Sequence, residues 1–280
     1  MTFHLTAPGV FRHARTLAAG VPFAVILSFA VVGVVIAWSV APGLFTSHDP
    51  YIGDTSRKLL PPGLEYWFGT DHLGRDVFTR VVYGSWSSVL SAAIAVFIGL
   101  VAGGFLGLLS GFVAGWTDVV VARLIDVLLA IPNFLLAVVI VSSFGFQTIN
   151  VAIATGVSSV AIFARLMRSE TLKTSTSVFV EASGLLGGSR WHILLRHVLP
   201  NAYRSILALA VLQFGASILV IAGLAFLGYG DPPPAADWGV LVSYGKDYPS
   251  SPWLVFAPAL VIVGTVLAIN RISRWLRRSS

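Results

Sequence analysis

Few side chains in this sequence are typed and spaced for chemistry. His192 and His197 lie five positions apart, so they do not share a helix face as the two histidines of an H-E-x-x-H zinc site do. His48–Asp49 and Asp71–His72 sit in one hydrophilic stretch; they could ligate a metal, and read more simply as surface turn residues. No G-x-x-x-x-G-K-[ST] phosphate loop includes Lys58, Lys173 or Lys246, the only lysines, and no G-x-S-x-G nucleophile elbow occurs. The chain has no Cys, which removes disulfides and thiol-based metal or redox chemistry. That leaves Arg123 and Asp126, charges inside an apolar run, where ionisable groups are costly and tend to mark function. At i and i+3 they can pair on one helix face, as a structural ion pair or as part of a gate. The expectation is a chain with no catalytic residue, no metal and no ATP site of its own.

The elements that must position these residues are membrane spans. Of 280 residues, 56% are hydrophobic and 11% charged, and the mean hydropathy is +0.85; a soluble domain carries about 25% charged residues. Six apolar runs approach the length a helix needs to cross the hydrocarbon. They are Val21–Val40, Ser87–Leu109, Val119–Val141, Ile149–Leu166, Ile206–Leu227 and Trp253–Ile269. Unbroken runs point to helices, since a membrane β-barrel would alternate. The first run is too long for a signal-peptide core and reads as a retained span. The predicted organisation is a cytoplasmic segment 1–20, a first span at 21–41, an external loop at 42–86 and a five-span core at 87–280. Within that core lie a cytoplasmic loop at 167–204 and an external loop at 229–252.

Charge sets the expected orientation. With a cytoplasmic N-terminus, thirteen of the eighteen Lys and Arg residues fall inside, Arg165 at the end of the fourth run included, and eight of the twelve Asp and Glu fall outside. Both termini are therefore expected in the cytoplasm of a cell with this plasma (inner) membrane. The tail Arg271, Arg274, Arg277 and Arg278 reads as an anchor at lipid headgroups. The basic residues do not gather in a polar domain, so nucleic acid is not an expected partner. Pro132 and Pro258 should kink the third and sixth spans. Gly99, Gly103, Gly107 and Gly111, four apart, make a groove for a close neighbouring helix, whether inside the subunit, along a passage or against a second subunit.

The most informative stretch is the loop at 167–204. Glu181-Ala182-Ser183-Gly184-Leu185-Leu186 reads as a short helix that Gly187-Gly188 ends. A second helix follows with Trp191, Leu194, Leu195 and Val198 at apolar helical spacing, until Pro200 stops it. Two short helices joined by a glycine turn form a knob that must pack on its own bundle, on the membrane or on a partner.

This string resembles the E-A-A-x-x-x-G…L-P coupling-loop signature of ABC importer permeases. Glu181, Ala182, Gly187, Leu199 and Pro200 match it, and Ser183 replaces the third small residue. Gly188-Ser189, Trp191, Arg196-His197 and Leu199-Pro200-Asn201 resemble the dipeptide/oligopeptide/nickel branch. Phe68-Gly69-Thr70-Asp71…Gly74-Arg75-Asp76-Val77 is similar to the segment before span two in that branch's second type of permease subunit. Phe226-Leu227-Gly228-Tyr229-Gly230…Pro232-Pro233…Trp238-Gly239 is similar to its external loop after span five, with Asp231 and the triple proline as departures.

The resemblance implies an all-α, six-span type I importer bundle with cytoplasmic coupling helices. It also implies a second homologous permease, two cytoplasmic ATPases that bind ATP and Mg, and an extracytoplasmic binding protein that delivers di- or oligopeptides, nickel or glutathione. Glu181 and the Gly187 turn would contact an ATPase, with Leu185 and Leu186 supplying the apolar part. The Phe68–Val77 segment, with Asp71, Arg75 and Asp76, and the acidic loop carrying Asp231, Asp237 and Asp247 against Lys246 alone would face the binding protein, or else order a lid over the bundle. An intramembrane enzyme and a standalone secondary transporter are the competing classes. The first needs a polar catalytic cluster and the second inverted halves, and neither is visible.

Overall fold

The computed structural model describes residues 22–279; the expected segment 1–20, with Arg12 and Arg15, lies outside the described residues. Pro22, with its fixed φ, precedes α1 (Phe23–Val40). An irregular stretch then runs to Asp76 with 3-10 turns at Pro42–Leu44 and Thr55–Arg57. α2 (Val77–Ile98) starts well before the expected Ser87, because the Asp76 side chain accepts from the N–H groups of Phe78 and Thr79 and caps the helix there. A π-helical turn over Gly99–Gly103 leads into α3 (Gly104–Val113), so Val77–Val113 is one apolar helix of 37 residues.

α4 (Gly115–Ala130) and α5 (Asn133–Phe144) are bent 91° apart at Ile131-Pro132. The kink expected at Pro132 is thus a full break: Ile131 turns to extended backbone (φ −91°, ψ 127°), as a residue before proline prefers. α6 (Thr148–Ser175) outlasts its expected end at Leu166. α7 (Val178–Leu185) and α8 (Arg190–Ile193) follow, and then a π-helical turn at Leu194–Val198 runs straight into α9 (Leu199–Phe226). Pro200 therefore does not stop the second loop helix. The Leu199 N–H reaches back to the Leu194 carbonyl, and this widened turn accommodates the proline ring and its missing N–H. α10 (Trp238–Gly245) is short, and α11 (Trp253–Ser279) continues unbroken through Pro258. Counting the bent α4–α5 pair as one, six segments among the described residues are long and apolar enough to cross a membrane.

Loops gather at two ends. At one end, here the cap end, lie residues 41–76, the start of α6, α10 and the start of α11: Arg80 donates to the carbonyls of Pro50 and Ala235, the Thr148 N–H donates to Asp231, and Trp253 donates to the Thr70 carbonyl. At the other, the knob end, lie α7, α8 and the Arg277 turn of α11, which lines one cavity with Glu170 and Arg204. The start of α1 is there too, since Phe29 meets Trp275 edge-on at 6.1 Å.

α6 is the axis of the bundle, with 56% of its apolar window buried against 22% for α1. The glycines spaced by four pack on it. A Cβ at Gly103 would stand 2.4 Å from the Val160 carbonyl and one at Gly107 2.3 Å from the Ala164 carbonyl, while Gly99 meets Phe163 and Gly111 meets Thr171. Gly104 faces open space. Of the three roles the spacing allows, the described residues show packing inside the subunit.

Candidate functional site

The knob is built from Glu181, Ala182 and Ser183 upward. These residues lie on α7, which ends in a Schellman turn: the Gly188 N–H donates to the Ser183 carbonyl at 3.0 Å and the Gly187 N–H to the Gly184 carbonyl at 3.1 Å. The motif needs a left-handed residue, and Gly187 supplies it at φ +85°. Ser189 then caps α8 by accepting from the His192 N–H. The turn presents Leu185 and Leu186 outward, each 89% exposed, with Val178 and Trp191 also exposed. Leu199 and Pro200 begin α9, where the loop returns to the bundle.

The expected apolar face of Trp191, Leu194, Leu195 and Val198 is split. Leu194 and Val198 are buried, while Trp191 and Leu195 face outward. A π-helical turn adds a residue to the repeat, so i, i+3, i+4, i+7 no longer mark one face. His192 and His197 are packing groups rather than ligands: their rings meet at 5.8 Å, and Phe179 of α7 meets His197 at 6.1 Å.

The expected Arg123–Asp126 pair is not formed. Asp126 accepts from Arg165 of α6 at 3.1 Å, and Arg123 is exposed with no ion pair among the described residues. A tertiary partner overrides the helix-local one, because α4 lies against α6. The sequence reading also misses a second contact. Asp118, at the start of α4, takes Arg168 in a two-pronged bond at 2.6 and 2.8 Å and accepts from Ser110 at 2.6 Å. The partners are 50 residues apart, so no local pattern joins them; the only signal is a lone acid beside one apolar run and one of several bases beside another.

At the cap end the residues expected to face a binding protein are mostly inside. Asp71, Arg75, Asp76 and Asp237 are each less than a tenth exposed. Arg75 donates to Asp71 at 2.7 Å, and Arg80 stands 3.9 Å from the same carboxylate. Asp76 caps α2, Asp237 caps α10 through the Gly239 and Val240 N–H groups, and Asp231 caps α6. For Asp71, Asp76 and Asp237 the docking reading is corrected accordingly: these carboxylates are consumed by helix ends and buried guanidinium groups, because an uncompensated charge would not survive that burial, whereas Asp231 is half-buried and Asp247 exposed. Trp238, fully buried, donates to the Val81 carbonyl and ties α10 to α2. Asp237 keeps one oxygen without a hydrogen-bond partner, and burial, with a smaller push from Asp231, raises its carboxyl to about 6. His48 lies 3.5 Å from Asp76, while His72 stacks on Tyr248 and burial lowers its pKa. Among the described residues, no group of three His, Asp or Glu is placed to hold a metal.

A cavity of about 840 Å³ opens at the knob end between α4, α6, α9 and α11. Arg165, Ser169, Glu170, Arg204, Ser205 and Arg277 give its polar lining. At the cap end a smaller cavity, about 420 Å³, is lined by Asp231, Pro232, Pro233, Ser243 and Tyr244 among others.

Comparison with known proteins places this architecture. Residues 99–280 match the family described as "Binding-protein-dependent transport system inner membrane component". The glutathione transport system permease protein GsiD of Escherichia coli O157:H7 is 42% identical over 217 residues, covering 77% of this chain and 72% of that protein, and its Shigella boydii counterpart matches equally. Among solved structures, an inward-facing MetNI methionine ABC transporter superposes with TM-score 0.60 at 17% identity, over 72% of this chain and 96% of that one. An amino acid ABC transporter with histidines follows, with TM-score 0.55 at 19% identity, over 72% and 94%. These structural likenesses establish the type I importer fold that the sequence leads one to expect. The chain belongs to the binding-protein-dependent transport system inner membrane component family and is an inner-membrane ABC importer permease subunit.

Proposed function

We propose that this chain forms half of the membrane pathway of a peptide importer. A second, related permease supplies the other half, and two cytoplasmic ATPases, which bind ATP and Mg, dock on the knob. An extracytoplasmic binding protein delivers substrate at the cap end. Both termini and residues 167–204 then lie in the cytoplasm, in keeping with the basic residues at that end.

The observation that carries this reading is the exposed apolar tip of the knob. Leu185 and Leu186 are held outward by a rigid Schellman turn, next to Glu181 and Ala182 on the same short helix. A soluble partner seated there would cover the apolar tip, and α9, rigidly continuous with the second arm of the knob, would carry its movement into the membrane. Glu181 and Ser183 are the polar contacts such a partner would meet.

The substrate reading is a short peptide, with glutathione, a tripeptide, favoured over nickel by the names of the relatives. Affinity purification of the tagged chain from its native membrane tests the assembly. Two P-loop ATPases, a second permease and a peptide-binding protein should co-purify, and a Leu186→Asp variant should lose the ATPases while keeping the second permease. Retention of both ATPases by that variant would remove the knob as their dock.

A further inference from the structure

The cavity at the knob end carries a reading of its own. Its lining falls on two helix faces: Ile162, Arg165, Leu166, Ser169 and Glu170 at helical spacing on α6, facing Arg204, Ser205, Ala208 and Leu209 on α9. Leu129 of α4 and Arg277 of α11 close two sides.

Two features show that this cavity does not face lipid but opens toward water or the second permease. Leu129 lies in the last turn of α4, whose final carbonyls lose their helical partners at the 91° break. Backbone of that kind at membrane depth is tolerated only where protein covers it or water reaches it. Beside it, Asp126 and Arg165 form an ion pair whose side chains are 57% and 62% exposed, and a charged pair facing hydrocarbon would be costly.

The charges then say what the cavity would hold. Three guanidinium groups face one carboxylate. Arg165 is already engaged by Asp126, while Arg204, Arg277 and Glu170 make no ion pair among the described residues. A guanidinium offers a planar fork that matches a carboxylate with two hydrogen bonds, and a carboxylate accepts from an ammonium. The volume of about 840 Å³ lies within the usual range for small-ligand sites. We infer that this cavity is a substrate-contact site selective for short peptides with more carboxylate than ammonium groups, Arg204 and Arg277 taking carboxylates and Glu170 the α-ammonium. The inference deepens the peptide-importer reading by naming a substrate class.

Equilibrium binding of the radiolabelled tripeptides Ala-Glu-Glu and Ala-Gln-Gln to the full chain in neutral phosphatidylcholine nanodiscs tests it without the binding protein's own selectivity. The native chain should prefer Ala-Glu-Glu by about tenfold, the worth of one charge-assisted contact. Arg204→Glu should abolish or invert that preference. Arg204→Gln and Arg277→Gln, milder changes, should each reduce it, and Glu170→Gln should weaken both peptides alike. A native preference near unity, or one that Arg204→Glu and both Gln variants leave intact, overturns the inference. So does loss of Ala-Glu-Glu binding when phosphatidylglycerol is added to the nanodiscs, which would give the arginines to lipid headgroups. None of these outcomes touches the ATPase co-purification, so the site can fail while the permease reading stands, and the reverse.

Discussion

The two ends of the molecule invert the usual rule of burial. At the cap end the charged residues are inside: Asp71, Arg75, Asp76 and Arg80 are almost wholly enclosed, and their bonds run to one another, to helix ends and to loop carbonyls. At the knob end the apolar residues are outside: Val178, Leu185, Leu186 and Trp191 have nothing over them. Buried charge is kept only where each group finds a partner, and exposed leucine in quantity marks a contact surface. The buried charges of the cap are thus largely satisfied within the subunit, although Leu44, Ile52, Leu64 and Trp67 near them are exposed too, whereas the knob offers the apolar tip proposed above as the ATPase dock. Damage to the cap should register as lost stability, and damage to the knob as lost function with the fold intact.

The largest expected effect tests the first half of that contrast. Arg80→Ala leaves the carbonyls of Pro50 and Ala235 without their donor and deprives Asp71 of its second cation. Removing one member of a buried charged network costs about 3–5 kcal/mol. The detergent-solubilised variant should melt well below the native protein, whereas its knob should still bind the ATPases if assembly is allowed at low temperature. An unchanged melting temperature would mean that the cap does not depend on its buried charges.

A smaller loss is expected midway between the ends, where α2 and α3 press on α6. Gly103→Val would drive a side chain against the Val160 carbonyl, a backbone atom with little room to yield, and overpacking of this kind typically costs about 1–3 kcal/mol. Gly104→Ala, the adjacent position with nothing within 4 Å, should be neutral or slightly stabilising. Comparable melting curves for the two variants would refute the tight α2/α3–α6 seam.

The knob supplies the converse. Gly187→Val meets no neighbour, but it forces a β-branched residue to φ +85°, where an L residue is strained by about 1–2 kcal/mol. The turn should unwind locally and move Leu185 and Leu186, so substrate-stimulated ATP hydrolysis falls while the melting temperature barely changes. Gly187→Asn, a residue that visits this conformation more readily, should retain most of the coupling. Equal coupling in both variants would dissociate the turn from function.

How much of this could be read from the sequence depends on the range of the interactions. Local chemistry was legible: the apolar runs, the Gly187 turn and the glycine groove each follow from neighbours within one or two helical turns. Medium-range features were half legible. Pro132 announces a disturbance but not a 91° break, and Pro200 looks like a stop until the π-helical turn at Leu194–Val198 is known. Long-range electrostatics was not legible. Spacing pairs Asp126 with Arg123 where packing gives Arg165, and the burial of Asp71 beside Arg80 depends on loops brought together around Pro50 and Ala235; the caps at Asp76 and Asp237 are by contrast local signals that the acidic-surface reading overlooks. The polar lining of the large cavity is not legible for the same reason, Arg165, Arg204 and Arg277 lying on three separate spans.

The smallest expected effect concerns the one cap-end acid that is not fully compensated. Asp237 caps α10 with one oxygen, leaves the other unpartnered, and is held at a pKa of about 6 against an ordinary 3.8. Between those two values the folded state keeps a proton that the unfolded chain releases. Stability should therefore be greatest below pH 3.8, fall as the pH rises towards 6, and level off above, so far as this residue alone determines it. Asp237→Asn preserves the helix cap, since asparagine is as good an N-cap residue, and removes the ionisation. The variant should melt a few degrees higher than the native protein at pH 7 and the two should converge near pH 4, a difference read by thermal unfolding of the solubilised protein across that range. Parallel pH profiles for the two proteins would show that Asp237 is compensated after all and that the cap end is satisfied throughout.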